Sequence, residues 1–63
     1  MVKIEIIIDD DRELVENGEV KMLYLAEIMR DVKSDMECGF TNRELTDINR
    51  NICGKWLMTV NNI

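Results

Sequence analysis

The N-terminal segment places the strongest constraint on the fold, because it has the pattern of a β-strand and therefore needs a partner strand. Residues 2–8 are rich in β-branched side chains, and every second position is apolar. The apolar face consists of Val2, Ile4, Ile6 and Ile8. The partner strand comes either from residues 13–16 or from the same strand of a second subunit. The second arrangement buries more apolar surface, so we expect a homodimer with Ile4, Ile6 and Ile8 at its interface.

The dipeptide Asn17-Gly18 allows two interpretations of the segment that follows. Asn-Gly is a strong signal for a tight β-hairpin, which would pair residues 13–16 with the residues after the turn. Against this, apolar residues follow at spacings of three and four, as on one helical face. These residues are Met22, Leu25, Met29, Val32 and Met36. We predict a helix over residues 19–37, ended by Cys38-Gly39, and keep the hairpin as the alternative.

A second helix is predicted over residues 42–61. Thr41 and Glu44 have the spacing of a capping box, in which each side chain satisfies the other's free backbone amide. Apolar residues then recur with helical spacing. They are Leu45, Ile48, Ile52, Cys53, Trp56, Leu57 and Val60. Gly54 interrupts this face, and we expect the backbone of a neighbouring element to pack closely against it.

The short connection between these helices predicts an antiparallel pair folded at Gly39. The expected fold class is α+β, with an N-terminal strand followed by a two-helix hairpin, in one small domain over residues 1–63. Whether the strand belongs to an internal hairpin or to an intersubunit ribbon stays open. In this geometry Cys53 lies about 18 Å along the second helix from Cys38, which is too far for a disulfide. We expect two free thiols, with Cys53 in the core.

The residue types offer little for catalysis or metal binding. The chain has no His and two Cys, and it shows no glycine-rich phosphate loop and no Ser-His or Cys-His pairing. We therefore expect a non-enzymatic protein without a cofactor or a metal site. No apolar run is long enough for a signal peptide or a membrane span, which together with the two cysteines predicts a reducing, cytoplasmic location.

Acidic residues are concentrated after the first strand. Six carboxylates lie within residues 9–19 against Arg12 alone, and the whole chain has a net charge of −5. No register of this segment fits a calcium-binding loop. It is either a solvated turn or a patch that docks on a basic surface of another protein, as a partial mimic of nucleic-acid phosphates. The residues of the candidate patch are Asp9, Asp10, Asp11, Glu13 and Glu16.

The nearly neutral C-terminal segment is the second candidate interface. Tryptophan often dominates binding when it lies in a desolvated pocket, so we predict partner contacts by Trp56, Leu57 and Val60. The alternative is that Trp56 fills the core of so small a domain. Together these features predict an acidic, non-enzymatic protein-interaction module. By analogy with small acidic accessory proteins of phages and mobile elements, it would modulate or inhibit a host protein in the host cytoplasm.

The predicted order of elements resembles that of the ribbon-helix-helix repressors, in which one strand precedes two helices. Residues 39–45 are also similar to the turn and second-helix opening of some helix-turn-helix regulators. The resemblance implies a dimeric DNA-binding transcription regulator whose outward strand residues read the DNA groove. These would be Lys3, Glu5, Ile7 and Asp9. This set repels phosphate about as strongly as it attracts it, so DNA binding is the alternative hypothesis.

Overall fold

The computed structural model describes residues 1–61, in which one helix and five strands are present. The elements are β1 (Val2–Ile8), β2 (Val15–Glu16), β3 (Glu19–Val20), α1 (Met22–Glu37), β4 (Asn42–Thr46) and β5 (Ile52–Val60). β1, β5 and β4 form an antiparallel sheet in that order, and β2 and β3 form a separate two-stranded hairpin. The predicted fold class is therefore wrong, because a strand hairpin replaces the second helix.

The strand predicted over residues 2–8 is confirmed as β1, but its partner within the chain is not residues 13–16. β1 pairs along its whole length with β5, from Val2 opposite Val60 to Ile8 opposite Gly54. The register brings residues 1 and 61 together, and the Met1 amine donates a 2.9 Å hydrogen bond to the Asn61 carbonyl. A strand contributed by the C-terminal segment thus satisfies one side of β1.

The Asn17-Gly18 turn is a hairpin, as the alternative interpretation had it. Asn17 has a φ of 53° and Gly18 a φ of 79°, so both central residues are left-handed, as a tight two-residue hairpin turn requires. Val15 lies opposite Val20 across this turn. The helix consequently begins at Met22 instead of residue 19, after Lys21, whose side chain makes no capping hydrogen bond.

The C-terminal end of α1 agrees with the sequence prediction. Cys38 is the last residue with helical geometry, and Gly39 has a φ of 87°. The Gly39 amide donates to the Met36 carbonyl and the Phe40 amide to the Asp35 carbonyl, each at 3.0 Å. This pair of bonds is the Schellman motif, which glycine accommodates because it has no Cβ to oppose a left-handed backbone.

The helix predicted over residues 42–61 is wrong, because this segment forms β4, a turn and β5. The capping box is absent: the Thr41 carbonyl instead accepts a 2.8 Å bond from the Met58 amide, which extends the ladder between β4 and β5. In the turn, Asp47 Oδ1 accepts bonds from the amides of Asn49 and Asn51 at 2.9 and 3.0 Å. Arg50 completes the reversal with a φ of 64°. Side-chain bonds of this kind stabilise a turn at the expense of a helix.

The core lies between α1 and the part of the sheet formed by β4 and β5. Its buried side chains are Leu14, Ile28, Val32, Leu45, Cys53 and Trp56. Trp56 is fully buried, and its indole Nε1 donates a 2.9 Å hydrogen bond to Asp35 Oδ2. Arg43 on β4 approaches the other oxygen of Asp35 at 3.3 Å. One carboxylate therefore attaches the C-terminal half of α1 to two strands.

Gly54 lies where the backbones of β5 and β1 approach each other closely. A Cβ at this position would meet the backbone carbonyl of Ile7 and the Cα of Ile8. The register between β4 and β5 also shifts here, because Leu45 pairs with Gly54 and Thr46 with Ile52, so Cys53 is an extra residue. The expectation of a closely packed backbone at Gly54 is met, although the residue lies in a strand with a bulge.

The apolar face of β1 is covered only at its C-terminal end. Ile8 is half-buried, whereas Ile4 and Ile6 are 49% and 38% exposed. The reason is that the single helix packs towards β4 and leaves the β1 side of the sheet bare. The resemblance to ribbon-helix-helix repressors also loses its basis, because residues 42–60 do not supply the second helix.

Candidate functional site

A cleft of about 370 Å³ opens at the end of the sheet where β1 ends and β5 begins. Three chain segments form its walls: the connection between β1 and β2, the part of α1 from Tyr24 to Asp31, and the turn between β4 and β5. Its apolar lining residues are Ile8, Leu14, Ile28, Ile48 and Cys53, and Tyr24 and Thr46 add hydroxyl groups. We call this region the acidic cleft because of its charged residues.

Five carboxylates and one guanidinium line the acidic cleft, giving it a formal charge of −4. They are Asp10, Glu13, Glu27, Asp31, Asp47 and Arg50. Glu27 and Asp31 are four residues apart, so they lie on one side of α1. Within residues 1–61, only Asp10 and Glu27 among these carboxylates form an ion pair, and Glu13, Asp31 and Asp47 have no Lys or Arg nitrogen within 4 Å.

Arg12 holds Asp10 at the mouth of the acidic cleft. Its Nε and Nη2 donate to the two carboxylate oxygens of Asp10 at 2.9 and 2.7 Å. This two-point hydrogen bond lowers the pKa of Asp10 below its usual value. The bond to Asp10 likewise raises the pKa of Arg12. Asp10 therefore stays ionised to lower pH than a free aspartate.

The chain bends at Asp9 and Asp10 because both backbone amides donate to the Cys53 carbonyl at 3.0 Å. A second tight turn follows, in which the Asp11 carbonyl accepts bonds from the Leu14 and Val15 amides at 2.8 and 2.9 Å. These turns bury Leu14 in the core and bring Glu13 to the cleft. The apolar Leu14 thus anchors the acidic segment.

The structure separates the members of the predicted acidic patch. Asp10 and Glu13 reach the acidic cleft, whereas Asp9 and Asp11 are exposed beside it. Glu16 lies on the β2–β3 hairpin, where its carboxylate is 3.3 Å from the Lys21 amine. The prediction missed the three carboxylates that α1 and the β4–β5 turn contribute. The spacing of Glu27 and Asp31 was a visible signal, but their approach to Asp10 depends on the fold.

The second predicted interface is divided between the two faces of the sheet. Trp56 is fully buried under α1, so its side chain fills the core and offers no surface to a partner. Leu57, the next residue on β5, is half-buried on the opposite face of the sheet. Val60, the last residue of β5, is 58% exposed. On the neighbouring strand β1, Ile4 lies opposite Met58 and Ile6 lies opposite Trp56.

The geometry of the cleft suits an organic cation better than a metal ion. Among the described residues, no three or more His, Cys, Asp or Glu side chains are grouped closely enough to hold a metal. The buried side chains of Leu14, Ile28 and Cys53 form an apolar floor to the cleft. Carboxylates around such a floor fit a side chain with an aliphatic stem and a cationic head, as in Lys and Arg. The buried thiol of Cys53 in the floor has its pKa raised by desolvation, which disfavours the reactive thiolate.

Comparisons with protein-family models, with curated proteins and with solved structures give no match for this chain. Over residues 1–61, no helix combines the length and the apolar character that crossing a membrane requires.

Proposed function

We propose that this chain is a non-enzymatic protein-interaction module that binds a basic partner protein at the acidic cleft. The observation that carries the proposal is the convergence of five carboxylates from three segments on one apolar-floored cleft. The cationic head of a partner's Lys or Arg would be held by Glu13, Asp31 or Asp47, while its aliphatic stem lies against the floor.

The charge of the whole chain supports the same class of partner. A net charge of −5 on 63 residues produces a field that accelerates encounters with positively charged surfaces and discourages contact with nucleic acid. A bound module would cover a basic surface that the partner otherwise presents to phosphates. We therefore propose that it inhibits or modulates its partner, in the cytoplasm, as expected for an accessory protein of a phage or mobile element.

The proposal is tested with a fluorescent basic peptide that contains Arg and Lys separated by apolar residues. We expect the double variant Glu13→Gln/Asp31→Asn to bind this peptide at least tenfold more weakly than the original chain. The physical reason is that two of the five cleft carboxylates lose their charge while the shape of the cleft is kept. Fluorescence anisotropy at two salt concentrations measures the affinity and its electrostatic part.

The matched control is Glu37→Gln/Glu44→Gln, which changes the net charge equally at exposed positions outside the acidic cleft. We expect this control to change the affinity less than twofold. Equal losses in the two double variants would show that only overall charge matters and would overturn the proposal. Duplex DNA serves as a second probe, and tight binding to it at physiological salt would also overturn the proposal.

A further inference from the structure

β1 is an edge strand whose helix-side face is uncovered from Val2 to Ile6. The sheet order places β5 on one side of β1, and within residues 1–61 no strand pairs with the other side. Its exposed apolar side chains include Val2, Ile4 and Ile6, at 59%, 49% and 38%, beside Val60 at 58%. A long apolar edge with unpaired backbone groups is a template for adding another strand.

The hydrogen bonds between β1 and β5 identify which backbone groups face the open edge. Met1 and Asn61 exchange both of their backbone bonds at 2.9 Å, and the Asp9 amide donates to the Cys53 carbonyl. Because bonding direction alternates along an antiparallel strand, the odd-numbered residues between them bond to β5. The amides and carbonyls of Val2, Ile4 and Ile6 therefore point outward, and their side chains form the bare face.

We propose that β1 pairs with β1 of a second copy of this chain, antiparallel, about a two-fold axis at Ile4. In this register Val2 lies opposite Ile6 of the partner subunit, and Lys3 lies opposite Glu5 of the partner subunit. The outward backbone groups of both strands then bond to each other. Two ion pairs form on the outer face, where Lys3 and Glu5 are already 3.4 Å apart within one chain.

Charge and chain geometry favour this register over the neighbouring ones. A shift of two residues would centre the axis on Glu5 and place two carboxylates directly opposite each other, which is unfavourable. A shift of four residues, which centres the axis on Ile6, would pair Lys3 with Asp9 of the partner subunit. That pairing lies beyond the strand, because the amides of Asp9 and Asp10 both turn to the Cys53 carbonyl.

The resulting sheet has six strands, with both helices on the same face. The bare side chains of the two β1 strands lie side by side in the trough between the helices, so apolar surface that is exposed in one chain becomes covered. The two acidic clefts lie beyond opposite ends of the joined β1 strands, because each cleft contains Ile8 of its own chain. The dense negative charges therefore stay away from the two-fold axis.

The first test is the solution mass of the purified chain, measured by light scattering over a range of concentrations. We expect twice the chain mass of 7.4 kDa at high concentration and a monomer for Ile4→Lys, which places two ammonium groups at the axis. Trp56 fluorescence checks that this variant remains folded. A chain that stays monomeric at all concentrations would overturn the proposal, and so would a dimer that Ile4→Lys leaves intact.

The second test addresses the register. Lys3→Glu and Glu5→Lys should each weaken dimerisation at least tenfold, because each places like charges opposite one another. The double variant Lys3→Glu/Glu5→Lys should restore it to within about threefold, since the pairs are only exchanged. Glu37→Lys, which makes the same charge change as Glu5→Lys at an exposed helix end, should have less than a twofold effect. A double variant no better than the singles would overturn the register.

Hydrogen exchange gives an independent result that does not depend on any variant. The amides of Ile4 and Ile6 should be protected in the dimer and exchange rapidly at dilutions where the mass is that of a monomer. Rapid exchange of these two amides in a confirmed dimer would overturn β1 pairing.

Discussion

The two ends of the three-stranded sheet are built from similar apolar residues but differ in burial. At the covered end, Leu45, Cys53 and Trp56 are at most 1% exposed under α1, whereas at the bare end Val2 and Val60 are more than half exposed. α1 packs mainly against β4 and not against β1, so the single helix leaves the β1 side of the sheet bare. Hydrophobicity alone therefore does not decide which side chains form the core.

The largest expected difference between the two ends is in the free energy of unfolding. Leu45→Ala should reduce it by about 2–5 kcal/mol, because it removes a fully buried side chain and leaves a cavity. Ile4→Ala should reduce it by less than about 1 kcal/mol at concentrations where the chain is monomeric. Urea unfolding followed by the fluorescence of Trp56 measures both values. Similar losses for the two variants would contradict the distinction between the ends.

The close approach of β5 to β1 at Gly54 provides the next comparison. Gly54→Ala should reduce the free energy of unfolding by about 1–3 kcal/mol, because the new Cβ would meet the Ile7 carbonyl and force the strands apart. Thr59→Ala, at an exposed position near the bare end of β5, should change it by about 0.5 kcal/mol or less. Thermal unfolding monitored by circular dichroism tests this pair. A stable Gly54→Ala variant would show that the bulge can relax.

Asp35 makes two contacts whose contributions to the free energy of unfolding can be compared: a hydrogen bond from the buried Trp56 and an ion pair with the exposed Arg43. Asp35→Ala should cost about 1–3 kcal/mol, because the buried Trp56 Nε1 loses its acceptor. Asp35→Asn should recover part of this loss by keeping an oxygen acceptor. Arg43→Ala should cost about 1 kcal/mol or less, since the Arg43 side chain is 55% exposed. If Arg43→Ala proved as damaging as Asp35→Ala, the ion pair would be the dominant contact.

The last comparison concerns the reactivity of the two thiols in the native chain and involves no change in stability. Cys38 is exposed at the end of α1, and Cys53 is buried at the covered end of the sheet. Because burial raises the pKa of Cys53, its thiolate population at pH 8 should lie below that of an ordinary cysteine and increase only at higher pH. A disulfide reagent should therefore modify Cys38 at least tenfold faster. Equal rates for the two thiols in the native chain would show that the covered end opens readily.

The errors of the sequence prediction are concentrated where local patterns allow two structures. The apolar residues from Leu45 to Val60 match a helical spacing, yet Trp56, Met58 and Val60 also alternate with Lys55, Leu57 and Thr59 as in a strand. The same segment also contains signals against a helix: the Asp and Asn residues at 47, 49 and 51 favour a turn, and the lone glycine within an apolar run is typical of a strand bulge.

A different reason explains why only part of the acidic cleft could be predicted from the sequence. The sequence shows that Asp10 and Glu13 follow the first strand, but it does not show that residues 27, 31 and 47 lie beside them. Their approach requires the helix to pack on the sheet and the β4–β5 turn to fold against it. Sites assembled from separate segments are therefore visible only after the topology is known.

By itself, the sequence determined β1, the middle of the apolar stripe of α1 and the glycine that ends the helix, because each depends on residues close together in the chain. The two ends of the predicted stripe are wrong, since Met22 and Met36 are exposed. Only the tertiary structure decided that residues 52–60 form a strand. β1 needs hydrogen-bond partners that its own neighbours cannot supply, and pairing with β5 satisfies one side of it along its whole length. That long-range requirement outweighs a helical pattern of apolar residues, and it also determines which isoleucines remain uncovered.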